Sequence, residues 1–149
     1  MSWFDSLINT FFLLGKSPFA PGTIGSLGAL TAWILIPQLS FFTMSYLILC
    51  IIALSYFTIL DHLSNTHEKD PQYIVIDEVV GMWIALLPLG LYKSDIGIVL
   101  LAFVLFRLFD IVKPSIIYRS QFLQGPLGVL MDDIVAGIIT SLIIFGIIS

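Results

Sequence analysis

The stretch IVIDEVVGMWIALLPLGL, residues 74–91, decides the fold class because it places two adjacent carboxylates at the start of an apolar run. After Asp77 and Glu78 the sequence carries no charge as far as Leu91. Apolar runs of about 20 residues are typical of helices that cross a lipid bilayer. Ionisable groups inside such a helix are costly and point to function. The stretch therefore predicts a membrane helix with a functional acidic pair near one end.

The composition of the whole chain agrees with a membrane protein. Of the 149 residues, 58% are hydrophobic and 11% are charged, and the mean hydropathy is +1.06. In soluble domains about a quarter of the residues are charged. This chain therefore has too few charged residues to form a polar surface facing water on all sides. The net charge of −4 argues against nucleic-acid binding, which needs basic surface. By its length we expect one domain, residues 1–149.

Five apolar stretches predict an all-α, polytopic membrane bundle of four to five spanning or re-entrant helices. The first stretch, Ile24 to Leu39, is short enough to be a tilted span, a re-entrant helix or a helix shielded by the others. No stretch alternates polar with apolar residues, so a β-barrel is not expected. Met1 to Leu14 predicts a short interfacial helix rather than a signal peptide, because it lacks a basic residue. The five stretches are residues 24–39, 41–60, 74–91, 96–112 and 128–148.

The basic residues predict the orientation. If all five stretches cross the membrane, Lys16, Lys69, Lys113 and Arg119 lie on the side of the N-terminus, and Lys93 lies on the other. Cytoplasmic loops carry the excess of lysine and arginine. The side with four basic residues is therefore expected to be cytoplasmic. If the first stretch does not cross, Lys16 and the N-terminus lie on the other side, while Lys69, Lys113 and Arg119 stay together.

Acidic residues occur at three helix ends that antiparallel packing brings to that same side. Asp77 and Glu78 open the third stretch, Asp110 closes the fourth in FRLFDIVKP, and Asp132 and Asp133 open the fifth in GVLMDDIVAG. Like charges at close range need protons or cations to compensate them. Several hard oxygen ligands suit Mg²⁺, with Mn²⁺ and Ca²⁺ as competitors. We expect these five carboxylates to be the metal ligands and the catalytic groups.

Two glycines support this inward placement. Gly81 lies four residues after Asp77, and Gly137 lies four residues after Asp133, so each shares a helix face with an acid. Small residues let membrane helices approach closely. The alternative is that the acids cap helix starts, where carboxylates complement the helix dipole. Capping explains one acid at each start, but neither the pairing of acids nor Asp110.

Basic and hydroxyl side chains complete the predicted substrate site. Arg107 and Lys113 flank Asp110 at spacings of three, so they are expected to pair with that acid in the resting state, to hold a substrate phosphate, or to do both. The segment GKSPFAPGTIGSL, residues 15–27, contributes Ser17 and Thr23, and Thr23 is a candidate cap for the next helix.

Three further side chains carry weaker signals. His62 and His67 are expected in a solvated connection, with a smaller chance of reaching the site. Cys50 stands alone in an apolar run, as a buried filler would.

Four motifs between Gly15 and Gly137 together resemble the phosphatidylglycerophosphatase A family: SPFAPGTIGSL, IVIDEVVGMWIAL, FRLFDIVKP and GVLMDDIVAG. The resemblance implies a Mg²⁺-dependent enzyme of the bacterial cytoplasmic membrane. Its substrate would be phosphatidylglycerol phosphate, hydrolysed to phosphatidylglycerol and inorganic phosphate. The expected mechanism is direct attack by metal-activated water with one carboxylate as base, and a covalent aspartyl intermediate remains an alternative.

Two other functions compete with this one. A small ion-coupled transporter also places acids in membrane helices, although acids on one side only disfavour it. A phosphatase for another lipid phosphate would carry the same site.

Overall fold

The computed structural model of the chain describes residues 3–36, 39–66, 71–92, 95–120 and 123–149. These residues form helices and turns without any strand, which confirms the all-α prediction. Two 3₁₀ turns span Leu14–Lys16 and Leu87–Gly90. The helices are α1 (Trp3–Asn9), α2 (Pro21–Leu35), α3 (Phe41–Asn65), α4 (Ile76–Leu86), α5 (Ile96–Val112), α6 (Ser115–Ser120) and α7 (Pro126–Ile148).

The short helix α4 lies at the centre of the bundle, packed against α2, α3, α5 and α7. Nearly all of its side chains are buried. Its 11 residues are about 16 Å long, roughly half the thickness of a bilayer core. The stretch 74–91 is therefore not one long helix as predicted. A 3₁₀ turn containing Pro88 replaces its last part, because proline lacks the N–H that would continue an α-helix.

Two helices, α3 and α7, are long and apolar enough to cross a membrane, by length and composition only. The apolar helix α2 is shorter, at 15 residues, and α5 has 17. The bounds of α5 match the prediction. Helix α3 continues to Asn65, so His62 lies in its last turn and not in the predicted polar connection.

The N-terminal helix is shorter than predicted, and its last residue, Asn9, and the following Thr10 are buried in the core. Helix α1 ends at Asn9, and the following residues Phe11–Leu13 are left-handed, with φ of 43°, 56° and 72°. The Asn9 side chain is fully buried, and its Oδ1 accepts a hydrogen bond of 2.7 Å from the Thr58 hydroxyl. The Asn9 carbonyl accepts another from the Val75 N–H at 2.8 Å. Burial of these polar groups requires partners, so the segment is fixed against α3 and the start of α4.

One side chain departs from its predicted environment in another way. Cys50 is exposed on α3 rather than buried. Since α3 presents most of its apolar surface outward, an exposed position on this helix is consistent with an apolar surrounding.

Candidate active site

A cavity of about 1140 Å³ opens at the end of the bundle where α2, α4 and α7 begin and where α3 and α5 end. We call it the acidic cavity because all five predicted carboxylates line it: Asp77, Glu78, Asp110, Asp132 and Asp133. The predicted convergence of three helix ends is therefore what the structure has. The N-terminal end of α2, Ala20 to Thr23, forms the facing wall.

Three of the acids form a tight carboxylate cluster. One oxygen each of Asp77, Glu78 and Asp133 lies within 4.8 Å of the others. Asp77 and Asp133 are buried. Among the described residues, Glu78 Oε2 and Asp133 Oδ1 have no hydrogen-bond partner. Buried acceptors of like charge without a partner need a proton or a cation, and these hard oxygen atoms fit Mg²⁺.

Helix capping does not explain the acids of α7. This helix begins at Pro126, so Asp132 and Asp133 lie in its second turn, roughly 9 Å along the axis, and its first turn has no acid. The prediction that these residues open the helix is wrong, because the helix starts earlier than its apolar run. Asp77 and Glu78 do lie in the first turn of α4. At that position they complement the helix dipole as well as lining the cavity.

Glycines allow the acidic faces to meet, as predicted. A Cβ atom on Gly137 would overlap the carbonyl oxygen of Gly81, and one on Gly81 would lie 2.6 Å from the carbonyl oxygen of Asp133. Gly22, on α2, lies opposite Glu78, and a Cβ there would overlap Glu78 Oε1, so the flexible Glu78 side chain would have to move. Side chains at Gly81 and Gly137 would push α4 and α7 apart and open the carboxylate cluster.

Arg107 connects α2 with the acids. Its Nη1 lies 2.5 Å from Asp110 Oδ2, and it also donates to Ser26 Oγ at 3.3 Å. Its Nη2 donates to Thr23 Oγ1 at 3.2 Å. Thr23 therefore lines the cavity but does not cap α2, which begins at Pro21 with Ala20 before it. Sequence reasoning missed Ser26, although small residues at 22, 25, 26 and 29 would have identified this face of α2.

Lys113 pairs with a different acid. Its Nζ lies 2.5 Å from Asp132 Oδ2, and its backbone is left-handed at φ 45°, which ends α5. The prediction that both cations pair with Asp110 is thus right for Arg107 and wrong for Lys113. Burial lowers the pKa of Lys113, but the hydrogen bond that Lys113 donates to Asp132 and the nearby carboxylates outweigh burial and raise the pKa above its ordinary value. This side chain therefore remains a cation.

Several predicted residues lie away from the acidic cavity. The Ser17 hydroxyl donates to the Phe19 carbonyl at 3.2 Å, and Ser17 lines a neighbouring cavity. His62 is buried with Nε2 2.9 Å from the Tyr73 hydroxyl, and it does not line the acidic cavity. The predicted positions His67, Lys69 and Lys93 lie outside the described residues. Polar lining residues that the sequence did not indicate are Thr66, Gln72, Tyr118 and Gln124.

Comparison with known proteins gives three relatives of similar length. A provisionally named phosphatidylinositol-3-phosphatase of Bacteroides thetaiotaomicron is 36% identical over 96% of this chain and 92% of its own length. Phosphatidylglycerophosphatase A of Escherichia coli K12 is 34% identical over 93% and 80%, respectively. Phosphatidylglycerophosphatase A of Haemophilus influenzae is 33% identical over 95% and 91%. No solved structure matches the chain significantly.

The family comparison covers almost all of the cavity-forming chain. The sequence profile of phosphatidylglycerophosphatase A matches residues 7–148, which include every helix that lines the acidic cavity. With relatives at 33–34% identity over most of their length, the match is not confined to one motif. The chain belongs to the phosphatidylglycerophosphatase A family.

Proposed function

We propose that the chain is a membrane-embedded phosphatase that hydrolyses phosphatidylglycerophosphate to phosphatidylglycerol and inorganic phosphate. One observation carries this proposal: five carboxylates and two cationic side chains line a single cavity at one end of two long apolar helices. Phosphoryl transfer depends on positioning and charge compensation, which such a cavity provides. Residues 1–149 would act as one domain, and the family match over residues 7–148 supports this.

The apolar exterior supports a position within the membrane. Large hydrophobic side chains are exposed on every helix turn of the outer face of α5. Contact of such a continuous apolar surface with water would be unfavourable, whereas contact with lipid is favourable. Similar faces are found on α3 and α7. The exposed residues include Ile96, Leu100, Val104, Leu108 and Ile111 on α5, Phe42, Leu49 and Phe57 on α3, and Leu142 and Phe145 on α7.

The cavity would then lie at headgroup depth. Helix α3 ends and helix α7 begins at the acidic cavity, so two spanning helices would place it at one membrane face. The nearby Lys16, Lys113 and Arg119 favour the cytoplasmic face of a bacterial inner membrane. We infer four to five spanning or re-entrant helices, with α4 shielded from lipid by its neighbours.

We further propose that Asp77, Glu78 and Asp133 hold Mg²⁺, assisted by Asp110 and Asp132. The buried oxygens of Glu78 and Asp133 without hydrogen-bond partners support this assignment. When bound, Mg²⁺ would supply positive charge to the phosphate oxygens and favour the ionisation of water. The close approach of α4 and α7 would keep the carboxylates of Asp77, Glu78 and Asp133 near each other even without a bound cation.

In the mechanism, the substrate phosphate would replace two carboxylates as the partner of the cationic side chains Arg107 and Lys113. Arg107 and Lys113 are paired with Asp110 and Asp132 in the free site, and phosphate oxygens would take over these partners. One of the released carboxylates, Asp110 or Asp132, can then accept a proton from a water molecule while the water oxygen attacks phosphorus. The bond from phosphorus to the glycerol oxygen breaks, and that oxygen leaves with the electron pair and is protonated by solvent.

A second lipid phosphate is a specific competitor as substrate. The relative from Bacteroides thetaiotaomicron carries a name that refers to phosphatidylinositol 3-phosphate, at 36% identity. Both lipids present a phosphate monoester on a polyol headgroup. The transporter alternative has no comparable support, since the matched family is named for a phosphatase.

The test is phosphate release by the purified full chain in detergent, with phosphatidylglycerophosphate or phosphatidylinositol 3-phosphate as substrate. We expect faster release from phosphatidylglycerophosphate with Mg²⁺, and its loss with EDTA. Faster turnover of the inositol lipid would replace the proposed substrate. Activity that survives EDTA would contradict the metal assignment.

A further inference from the structure

A second cavity, of about 520 Å³, adjoins the acidic cavity. The two share Pro21 and Gln72 as lining residues, so they meet at the start of α2. Unlike the acidic cavity, the second cavity has no carboxylate among its described lining residues, and it has one cation, Lys16. An anionic group is therefore favoured there. The lining residues are Ser6, Gly15, Lys16, Ser17, Pro18, Pro21, Gln72 and Tyr73.

Lys16 is available to a ligand, in contrast to the two cations of the acidic cavity. Arg107 and Lys113 are each engaged by a carboxylate, whereas Lys16 forms no ion pair with any described residue. Its backbone is nevertheless fixed. Gly15 is buried so closely against the Tyr73 carbonyl that a Cβ would overlap it, and the Gly15 N–H donates to Thr10 at 2.9 Å.

We propose that the second cavity binds the phosphodiester of the lipid headgroup, with Lys16 as its cationic partner, while the phosphate monoester lies in the acidic cavity. This inference rests on the proposed function, because it assumes a substrate with two phosphates. In phosphatidylglycerophosphate these groups are joined by one glycerol, and the two cavities are correspondingly adjacent. Lys16 then selects lipids that carry a phosphodiester beside the monoester, and it contributes to binding rather than to the chemical step.

The test compares Lys16→Gln with Lys16→Arg and with Arg119→Gln in zwitterionic detergent micelles. Arg119 is a matched control, because it is an exposed cation near the same end of the bundle but lines neither cavity. We expect Lys16→Gln to raise KM for phosphatidylglycerophosphate about tenfold, with kcat within about twofold, since a charged hydrogen bond made equally to bound substrate and transition state is lost. Lys16→Arg and Arg119→Gln should stay near the wild type.

Two competitive inhibitors distinguish the cavities. Phosphatidylglycerol has the phosphodiester but no phosphate monoester, so it would occupy the second cavity. Inorganic phosphate corresponds to the monoester and would occupy the acidic cavity. Lys16→Gln should raise the inhibition constant of phosphatidylglycerol about tenfold and leave that of inorganic phosphate unchanged. The proposal is overturned if neither constant changes, if both rise together, if phosphatidylglycerol does not inhibit the wild type, or if Arg119→Gln has the same effect.

The proposed function has a separate readout. Failure of the wild type to hydrolyse phosphatidylglycerophosphate would reject that function. If the wild type then hydrolyses phosphatidylinositol 3-phosphate, the Lys16 variants are compared on this lipid, because it also joins a phosphodiester to a monoester. If it hydrolyses neither lipid, the inference about Lys16 falls together with the proposed function.

Discussion

Gly137 of α7 lies so close to Gly81 of α4 that a Cβ on Gly137 would overlap the Gly81 carbonyl oxygen. The same approach places Gly81 against the backbone of Asp133, one turn before Gly137. The distance between the two helices therefore determines how near Asp133 lies to Asp77 and Glu78. Packing and the proposed chemistry depend on the same contact.

We predict that Gly137→Ala destabilises the protein by about 1–3 kcal/mol, because the added methyl group forces α7 away from α4. The change should also weaken Mg²⁺ binding by separating the carboxylates. The measurement is thermal unfolding in detergent with and without Mg²⁺. Gly146→Ala is the control, since Gly146 is on the same helix with nothing within 4 Å of an added Cβ. Equal effects of both changes would show that the contact at Gly137 is unimportant.

The acids were predictable from the sequence because charge in an apolar helix is costly and therefore informative. The order of three antiparallel helices was enough to predict that the acids lie at one end of the bundle. These acids are Asp77, Glu78, Asp110, Asp132 and Asp133. The close helix contact at Gly81 and Gly137 was also predictable, because small residues on one face of a membrane helix indicate that another helix packs closely there.

Partners across the bundle were not predictable from spacing along one helix. Asp110 lies at the same spacing from Arg107 and from Lys113, yet Lys113 reaches Asp132 instead. The left-handed backbone at Lys113 ends α5, and although Pro114 indicates this end, no spacing along the helix shows which acid Lys113 then reaches. The length of α4 was also missed, since hydropathy does not distinguish a helix surrounded by protein from one surrounded by lipid.

We predict that Glu78→Gln removes the stabilisation by Mg²⁺ without lowering stability in EDTA. The carboxylates of the cluster repel each other when no cation is present, and an amide relieves this repulsion. With wild type, ligand linkage raises Tm as Mg²⁺ is added. The measurement is Tm across a Mg²⁺ titration, with phosphate release expected to fall by a factor of about 100 or more, as for a lost electrostatic group in a catalytic site.

Asp95→Asn provides the control for that experiment. Asp95 caps α5 at the end away from the cavity, where its Oδ1 accepts from the Ile98 N–H at 3.0 Å. Asparagine caps helices equally well, so both Tm and its response to Mg²⁺ should match the wild type. A Glu78→Gln variant that keeps the full response to Mg²⁺ would exclude Glu78 as a ligand.

We predict that Arg107→Lys lowers kcat/KM by about 10–100-fold although the charge is kept. The guanidinium reaches Asp110, Thr23 and Ser26 at the same time, and a lysine ammonium cannot reproduce this planar fork. Steady-state kinetics on the lipid substrate measure the loss. Arg119→Lys should be neutral, because Arg119 is exposed outside the cavity. If Arg107→Lys retains full activity, charge alone is sufficient and the fork has no role.

We predict that Lys113→Gln lowers activity by a constant factor between about pH 7 and pH 9. The pKa of Lys113 is raised, so its charge persists across this range and starts to be lost only above the ordinary lysine value of about 10.4. By linkage, the stability from its pair with Asp132 is fully present below that value and is lost as pH rises through the higher pKa of the folded state. The measurement is a pair of pH–rate profiles, with Lys113→Arg expected to retain most of the activity. A wild-type advantage that already disappears by pH 9 would show that Lys113 loses its proton inside the working range, which the pair with Asp132 should prevent.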